Sequence, residues 1–287
     1  MDIERIGIVG GGLMGAGIAE ICARAGLEVL VREVDGEMVD ATRQRIEGSL
    51  NRAVRSGKVE EAARDEALQR IELVTDYDAL ADRQLVVEAV LENQAAKEDV
   101  FSILGRVVKD PAAILASNTS SIPIMKLAMA SQRPQSVIGM HFFNPVPVLK
   151  LMELVPTLLT APETTARAEA FARDVLNRCV IRSKDRAGFI VNALLVPYIL
   201  STIRMYESGF ATRDDIDSGM VEGCNHPMGP LALADLIGLD TLMAVGQSLY
   251  EEFKEPLFAP PPLLSRMVEA GLLGRKTGHG FHEYKRR

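Results

Sequence analysis

The chain has few cysteines, few histidines, no basic block and no long uninterrupted apolar run. Its three cysteines, Cys22, Cys179 and Cys224, lie far apart, form no CxxC pair and are odd in number. That excludes a disulfide framework and offers no zinc-ligand spacing, so no metal site is expected and the thiols are expected to be buried and inert. A net charge of −7 without a basic cluster of the nucleic-acid kind excludes nucleic acid as a partner. The longest apolar run, residues 189–203, is broken by Asn192, Pro197 and Ser201. A bilayer span needs about 20 apolar residues, so no membrane association is expected. The acidic start Met1-Asp-Ile-Glu4 runs directly into a strand-like segment, which is no signal peptide; the expected location is cytoplasmic.

What is present is an ordinary globular composition, 47% apolar and 25% charged, in 287 residues, which is more than one typical domain. Residues 5–9 form a short β run that leads at once into Gly10-Gly-Gly-Leu-Met-Gly15. Helical spacing follows, with Ile18, Ile21, Cys22 and Ala25 on one face and Gly26 as its C-terminal stop. Residues 28–33 are a second strand, so a βαβ unit occupies the first 33 residues. In that context Gly10 permits the tight turn, Gly12 lets the backbone approach a pyrophosphate, and Gly15 lets the helix pack on the strand. Leu13 and Met14 complete the loop, and the helix N-terminus offers free N–H groups to phosphates. Glu33, at the end of the second strand, is placed to accept bonds from an adenosine ribose; its charge favours NAD over NADP. Arg32 beside it points to the opposite face and is expected to be solvated.

Residues 36–69 are helical and heavily charged, with Gly57 as a break. Arg52, Arg55 and Lys58 cluster at the turn, as a solvated face or as a site for an anionic tail; charge runs favour the first. Further strands fall at 71–74, 84–88, 113–117, 137–140, 150–154 and 180–183, with helices at 95–107 and 164–177. This alternation predicts an α/β class: a Rossmann-type, doubly wound, mainly parallel sheet over residues 1–184. From 185 to 287 no strand pattern is convincing. There a kinked helix over 189–207 with Pro197, a start at Thr212-x-x-Asp215, another at Pro230 and a last helix near 263–270 predict an all-helical domain. Its apolar surface predicts a homodimer.

The polar run Asn118-Thr-Ser-Ser121 ends an apolar strand, where ligands meet a parallel sheet; Ser120 or Ser121 is equally suited to cap a helix. His141 ends the next strand, in a proline-bounded loop that also carries Asn144. Histidine suits proton abstraction from an alcohol because its pKa lies near operating pH. Glu153 sits in an apolar Leu-Met-Glu-Leu-Val segment, either paired with His141 or turned to solvent by strand alternation. Asn192, polar in an apolar helix, needs a hydrogen bond, at the active site or to another helix. The other histidines, His226, His279 and His282, are poorer candidates because of their loop and tail positions.

Six segments together resemble the 3-hydroxyacyl-CoA dehydrogenases: 10–19, 117–121, 141–147 (His-Phe-Phe-Asn-Pro-Val-Pro), 188–192, 226–230 and 274–281. The resemblance runs the length of the chain and is nearest to the single-function bacterial 3-hydroxybutyryl-CoA dehydrogenases. It implies NAD-dependent oxidation of (S)-3-hydroxyacyl-CoA to 3-ketoacyl-CoA, or the reverse. It assigns His141 as general base, Glu153 as its electrostatic partner, Ser120 to the C3 oxygen of the substrate and Asn192 to substrate positioning. For NAD it implies the loop of Gly10, Gly12, Leu13, Met14 and Gly15 together with Glu33, Glu92, Lys97, Asn144 and Lys276. For CoA it implies Ser49, Arg52, Arg55 and Lys58, which reverses the order given above for the basic turn. The fold it implies is a Rossmann domain with a helical dimerisation domain. Two departures are visible: the family commonly has aspartate where Glu33 stands, and a lysine pair is here Arg275-Lys276. Two other readings stay open: the same chemistry on an acyl-carrier-protein-bound or sugar-acid substrate, and a non-catalytic NAD-binding structural protein.

Overall fold

A computed structural model of the chain describes residues 3–284; the reading made at Met1 and Asp2 lies outside them. The chain divides into two compact units after Asp185, one residue past the boundary expected from the sequence.

Eight strands make one sheet in the first unit: β1 (Arg5–Val9), β2 (Glu28–Arg32), β3 (Ile71–Val74), β4 (Leu85–Glu88), β5 (Ile114–Ser117), β6 (Val137–Phe142), β7 (Leu151–Pro156) and β8 (Cys179–Arg182). Their order is β3-β2-β1-β4-β5-β6-β7-β8. The chain leaves β1 toward one edge and returns at β4 toward the other, so a switch point lies between β1 and β4, where such sheets bind ligands at their carboxyl ends. Pairing is parallel throughout except between β6 and β7. Ile6, Ile8, Leu85, Ile114, Leu115 and Ile138 are wholly buried, as strands covered on both faces require. Each such side chain contributes about 1.5–3 kcal/mol from burial.

Helix α1 (Leu13–Arg24) follows β1, and Gly26 (φ +88°) turns the chain back, as its spacing predicts. α2 (Gly36–Arg55), capped by Asp35, and α3 (Glu61–Gln69) are parted at Gly57 (φ +68°). α4 (Gln94–Val107) and the short α5 (Ile124–Ala130) cover the strands beyond. α5 was not legible in the sequence. Nor do Ser120 and Ser121 cap it: Asp185 accepts from the N–H groups of Ile124 and Met125 at 2.8 and 2.7 Å. α6 (Pro162–Ala170) runs into a π-turn (Phe171–Val175) within the single helix expected over 164–177. Arg32 is half-exposed, and at the surface its Nε donates to the Thr75 carbonyl and its guanidinium lies over the Tyr77 ring at 3.9 Å. Cys22 is buried, and burial pushes its thiol up to about 12, but Cys179 and Cys224 are exposed, contrary to expectation.

The second unit is helical: α7 (Val191–Glu207), α8 (Arg213–Cys224), α9 (Pro230–Ile237), α10 (Leu239–Phe253) and α11 (Pro262–Glu269). α10 escaped the sequence reading. Thr212 caps α8 through the Asp215 N–H, as expected. Two aspartates, Asp217 partly buried and Asp235 fully so, explain the glycines of the late motifs. Asp217 accepts from the N–H groups of Leu231 and Ala232, and a Cβ on Gly229 would overlap it. Asp235 accepts from the N–H groups of Phe281 and His282 and from the Tyr284 hydroxyl. A Cβ on Gly274 or Gly280 would collide with that aspartate. His282 pairs with Asp217 at 2.8 Å, which gives it a structural place. No single helix among the described residues is long and apolar enough to cross a membrane.

Candidate active site

The carboxyl ends of β1, β2, β4, β5 and β6 carry the glycine loop, Glu33, Glu92, the polar run 118–121 and His141. Gly10 follows β1 with φ +92°, where a Cβ would press within 2.9 Å of the Ala89 carbonyl oxygen. A Cβ on Gly15 would overlap the Gly10 carbonyl, so α1 packs on the loop only because both are glycine. A Cβ on Gly12 meets nothing within 4 Å, which leaves open space above the backbone. Helix α1 begins there with no side-chain cap and no acidic residue in its first turn; Leu13 is exposed and Met14 half-buried. Free N–H groups beside open space suit a pyrophosphate, so the residues present fit a dinucleotide.

Glu33 reaches back beneath this loop. Its Oε1 accepts from the Gly11 N–H at 2.6 Å and the Thr42 hydroxyl at 2.8 Å, and Oε2 from the Val34 N–H at 3.3 Å. A Cβ on Gly11 would overlap Thr42, so the middle glycine serves this clamp. Arg45 donates to the Gly11 carbonyl at 2.7 Å. Thr42 and Arg45 were missed by sequence reasoning, since nothing in a charged helix distinguishes them.

Beyond β5, Asn118 accepts from the Phe142 N–H at 2.9 Å and ties this loop to the end of β6. Glu92 gathers the next residues on one oxygen. Its Oε1 accepts from the Thr119 hydroxyl, the N–H groups of Ser120 and Ser121, and the Ser121 hydroxyl, at 2.5–3.1 Å. Burial works against the charge of Glu92, but Lys97 and these hydrogen bonds outweigh it and hold the carboxyl below the usual carboxylate range. Lys97 itself is buried, with its ammonium 2.6 Å from Glu88 and 3.2 Å from Glu92.

His141 is 4% exposed at the end of β6 and Glu153 is fully buried in β7. The antiparallel pairing sets them opposite one another, and Nδ1 lies 2.7 Å from Oε2 of Glu153. On the other side of the ring, Nε2 is 3.1 Å from the Ser120 hydroxyl. An ionised carboxylate only accepts, so it fixes the tautomer with Nδ1–H and leaves the Nε2 lone pair toward Ser120. A fixed base beside a hydroxyl donor can take a proton from an alcohol bound between them.

Residues 5–186 match the model of the 3-hydroxyacyl-CoA dehydrogenase NAD-binding domain, and residues 188–284 match that of the C-terminal domain. The chain belongs to the 3-hydroxyacyl-CoA dehydrogenase family. It is 59% identical to the 3-hydroxybutyryl-CoA dehydrogenase of Mycobacterium tuberculosis over 98% of this chain and 99% of that one. It is 38% identical to the mitochondrial hydroxyacyl-coenzyme A dehydrogenase of Sus scrofa over 99% of this chain and 92% of that one. The crystal structure of (S)-3-hydroxybutyryl-CoA dehydrogenase from Ralstonia eutropha superposes with a TM-score of 0.93 at 44% identity, covering 99% of this chain and all of that one.

The remaining expected residues are placed as follows within each unit. Asn144 is exposed in the turn after β6, next to a cis peptide to Pro145. Ser49, Arg52, Arg55 and Lys58 stand in the last turns of α2 and just past it; a 20-residue helix is about 30 Å long, so they lie far from its start near Glu33. Lys58 lines a cavity of about 310 Å³ with Arg24, Glu66 and Arg70. In the second unit, Asn192 is half-buried in the first turn of α7, and the exposed Lys276 pairs with Asp240 at 2.5 Å. Sequence reasoning gave no role to Glu88 or Arg178. The signal for Glu88 was a carboxylate closing the apolar strand Leu-Val-Val-Glu88; Arg178 left none.

Proposed function

We propose that the protein interconverts short-chain (S)-3-hydroxyacyl-CoA, such as 3-hydroxybutyryl-CoA, and 3-ketoacyl-CoA with NAD. The observation that carries this reading is the Glu153–His141–Ser120 relay at the carboxyl edge of a sheet whose glycine loop fits a pyrophosphate. NAD supplies the hydride acceptor when bound. His141 Nε2 takes the proton of the C3 hydroxyl, and Ser120 Oγ bonds the same oxygen, which fits their 3.1 Å spacing. Glu153 orients the ring and offsets the charge the imidazole acquires. In the reverse direction His141 returns the proton. Glu33 Oε2 retains lone-pair capacity for ribose hydroxyls, and its charge opposes a 2′-phosphate.

Family resemblance further assigns Glu92, Lys97, Asn144 and Lys276 to the cofactor, Asn192 to the substrate, and Ser49, Arg52, Arg55 and Lys58 to the CoA tail. Homodimerisation through the helical unit is supported by its exposed apolar residues, Leu194 and Phe210 at 72% and 80% exposure among them. A cytoplasmic location remains part of this reading. One assay tests it: acetoacetyl-CoA with NADH, then with NADPH, then the ketoacyl-carrier-protein form with NADH, following NADH or NADPH absorbance. Turnover of the CoA ester with NADH is expected. No turnover with either cofactor removes the reading, and turnover of the carrier-protein form alone moves the substrate to the rival class.

A further inference from the structure

A second ionic network, buried at Glu88 and Lys97, ends at the Ser120 backbone through Glu92. Glu88 is fully buried at the end of β4. Its Oε1 accepts from Lys97 at 2.6 Å and from the Val90 N–H at 2.8 Å, and its Oε2 from the Ser117 hydroxyl at 2.6 Å. The Lys97 ammonium, 1% exposed, also faces the Val90 carbonyl at 3.3 Å and Glu92 Oε2 at 3.2 Å. Three acceptors surround a group with three N–H donors, so its hydrogen bonds are spent inside the protein. The other oxygen of Glu92 then holds the Ser120 N–H at 3.0 Å.

We propose that Glu88 and Lys97 are positioning residues for the Ser120 hydroxyl, acting through Glu92. The physical reason is that the four polar residues 118–121 follow a strand but belong to no strand or helix, so no regular ladder holds them. A single carboxylate oxygen of Glu92 accepts from Thr119, Ser120 and Ser121 together. A carboxylate on a solvent-facing turn, 36% exposed, keeps one orientation only if its second oxygen is held. Lys97 holds it, and Glu88 holds Lys97 while reaching Ser117, two residues before the loop's first anchor. The Ser120 hydroxyl is thus fixed from both sides, by the backbone on Glu92 and by Oγ on His141. Misplacing a reacting group by about 1 Å costs about 10²-fold in rate, so a distant ion pair can govern turnover without touching a ligand.

The proposal rests on the reading of Ser120 as a group that bonds the substrate oxygen, and the test separates the two. The paired variant Glu88→Gln/Lys97→Met removes both charges and leaves no unpaired buried ion, which limits the loss of stability. It is compared with wild type, with Ser120→Ala, and with all three changes combined, using acetoacetyl-CoA and NADH. The expected result is a kcat fall of about 10- to 100-fold. This kcat is read at saturating NADH, checked by fluorescence titration, because the resemblance also assigns Lys97 and Glu92 to the cofactor. In the Ser120→Ala background the same pair changes kcat by less than about twofold, because its target is gone. Glu92→Gln, which keeps the shape and drops the charge, gives the same pattern if the paired variant fails to fold. Equal losses in both backgrounds overturn the proposal in favour of general destabilisation. A weakened NADH affinity with full kcat at saturation overturns it in favour of a direct cofactor contact. If Ser120→Ala alone leaves kcat unchanged, the reading of Ser120 fails and takes the proposal with it.

Discussion

His141 and Glu153 face each other in register across β6 and β7, with Nδ1 2.7 Å from Oε2 and both side chains withdrawn from solvent. Replacing His141 with Gln removes the base and lowers kcat by about 10²–10⁴-fold while the fold survives. Replacing Glu153 with Gln keeps the shape, but the amide can donate as well as accept, so Nδ1–H is no longer imposed. Turnover then falls by about 10²-fold or more, with the substrate KM little changed. Steady-state kinetics on both variants check this, and a Glu153→Gln enzyme with wild-type kcat would remove the relay.

Stability has a pH dependence that runs through Glu92. Its carboxyl lies below the ordinary glutamate value in the folded protein, so folding is favoured by its charged form. The contribution is complete above the unfolded value of about 4.3 and fades as pH falls through the lowered folded value. The Tm advantage of wild type over Glu92→Gln is therefore present at pH 7 and shrinks toward pH 3. An advantage that stays constant across that range contradicts the assignment.

Charge reversal of the basic turn separates the substrate carriers. Arg55→Glu with Lys58→Glu is expected to raise the KM for acetoacetyl-CoA about tenfold or more and to leave kcat within about threefold, because a tail contact made equally in ground and transition states affects binding alone. Both residues are exposed, so the fold is little affected. An unchanged KM moves the CoA tail elsewhere.

Arg178 sets the loop that carries Asn144. One of its guanidinium nitrogens donates to the carbonyls of Val146 and Leu149 at 3.0 and 2.7 Å, and Val146 seats on Gly17 of α1, where a Cβ would come within 2.9 Å. Arg178→Met leaves both carbonyls without a charged donor and destabilises by about 2–4 kcal/mol. Urea unfolding measures it; a loss under about 0.5 kcal/mol would place the anchor elsewhere.

The sequence alone determined the strand–loop–helix start, the alternation through residue 183 and the helical remainder. Those features depend on local periodicity and on glycines whose backbone demands are local: Gly10 and Gly26 both have the positive φ their positions predict. Helices α5 and α10 were missed because their limits are set by tertiary partners, Asp185 for α5, or by a backbone turn at Gly238 with φ +100° for α10. The residue types at the candidate site were also legible, because a histidine and a serine at successive strand ends fall on one edge of a parallel sheet.

What only the tertiary structure decided was pairing. Strand alternation left Glu153 free to face either way, and the antiparallel turn of β7 against β6 put it opposite His141. Resemblance assigned Glu92 and Lys97 to the cofactor, and only packing showed that Glu92 also accepts from the Ser120 loop, with Lys97 and Glu88 buried behind it. The cause is the same in each case. A sequence pattern specifies which face or edge a residue occupies, whereas the partner of a buried charge is settled by which other groups the fold brings within hydrogen-bond reach.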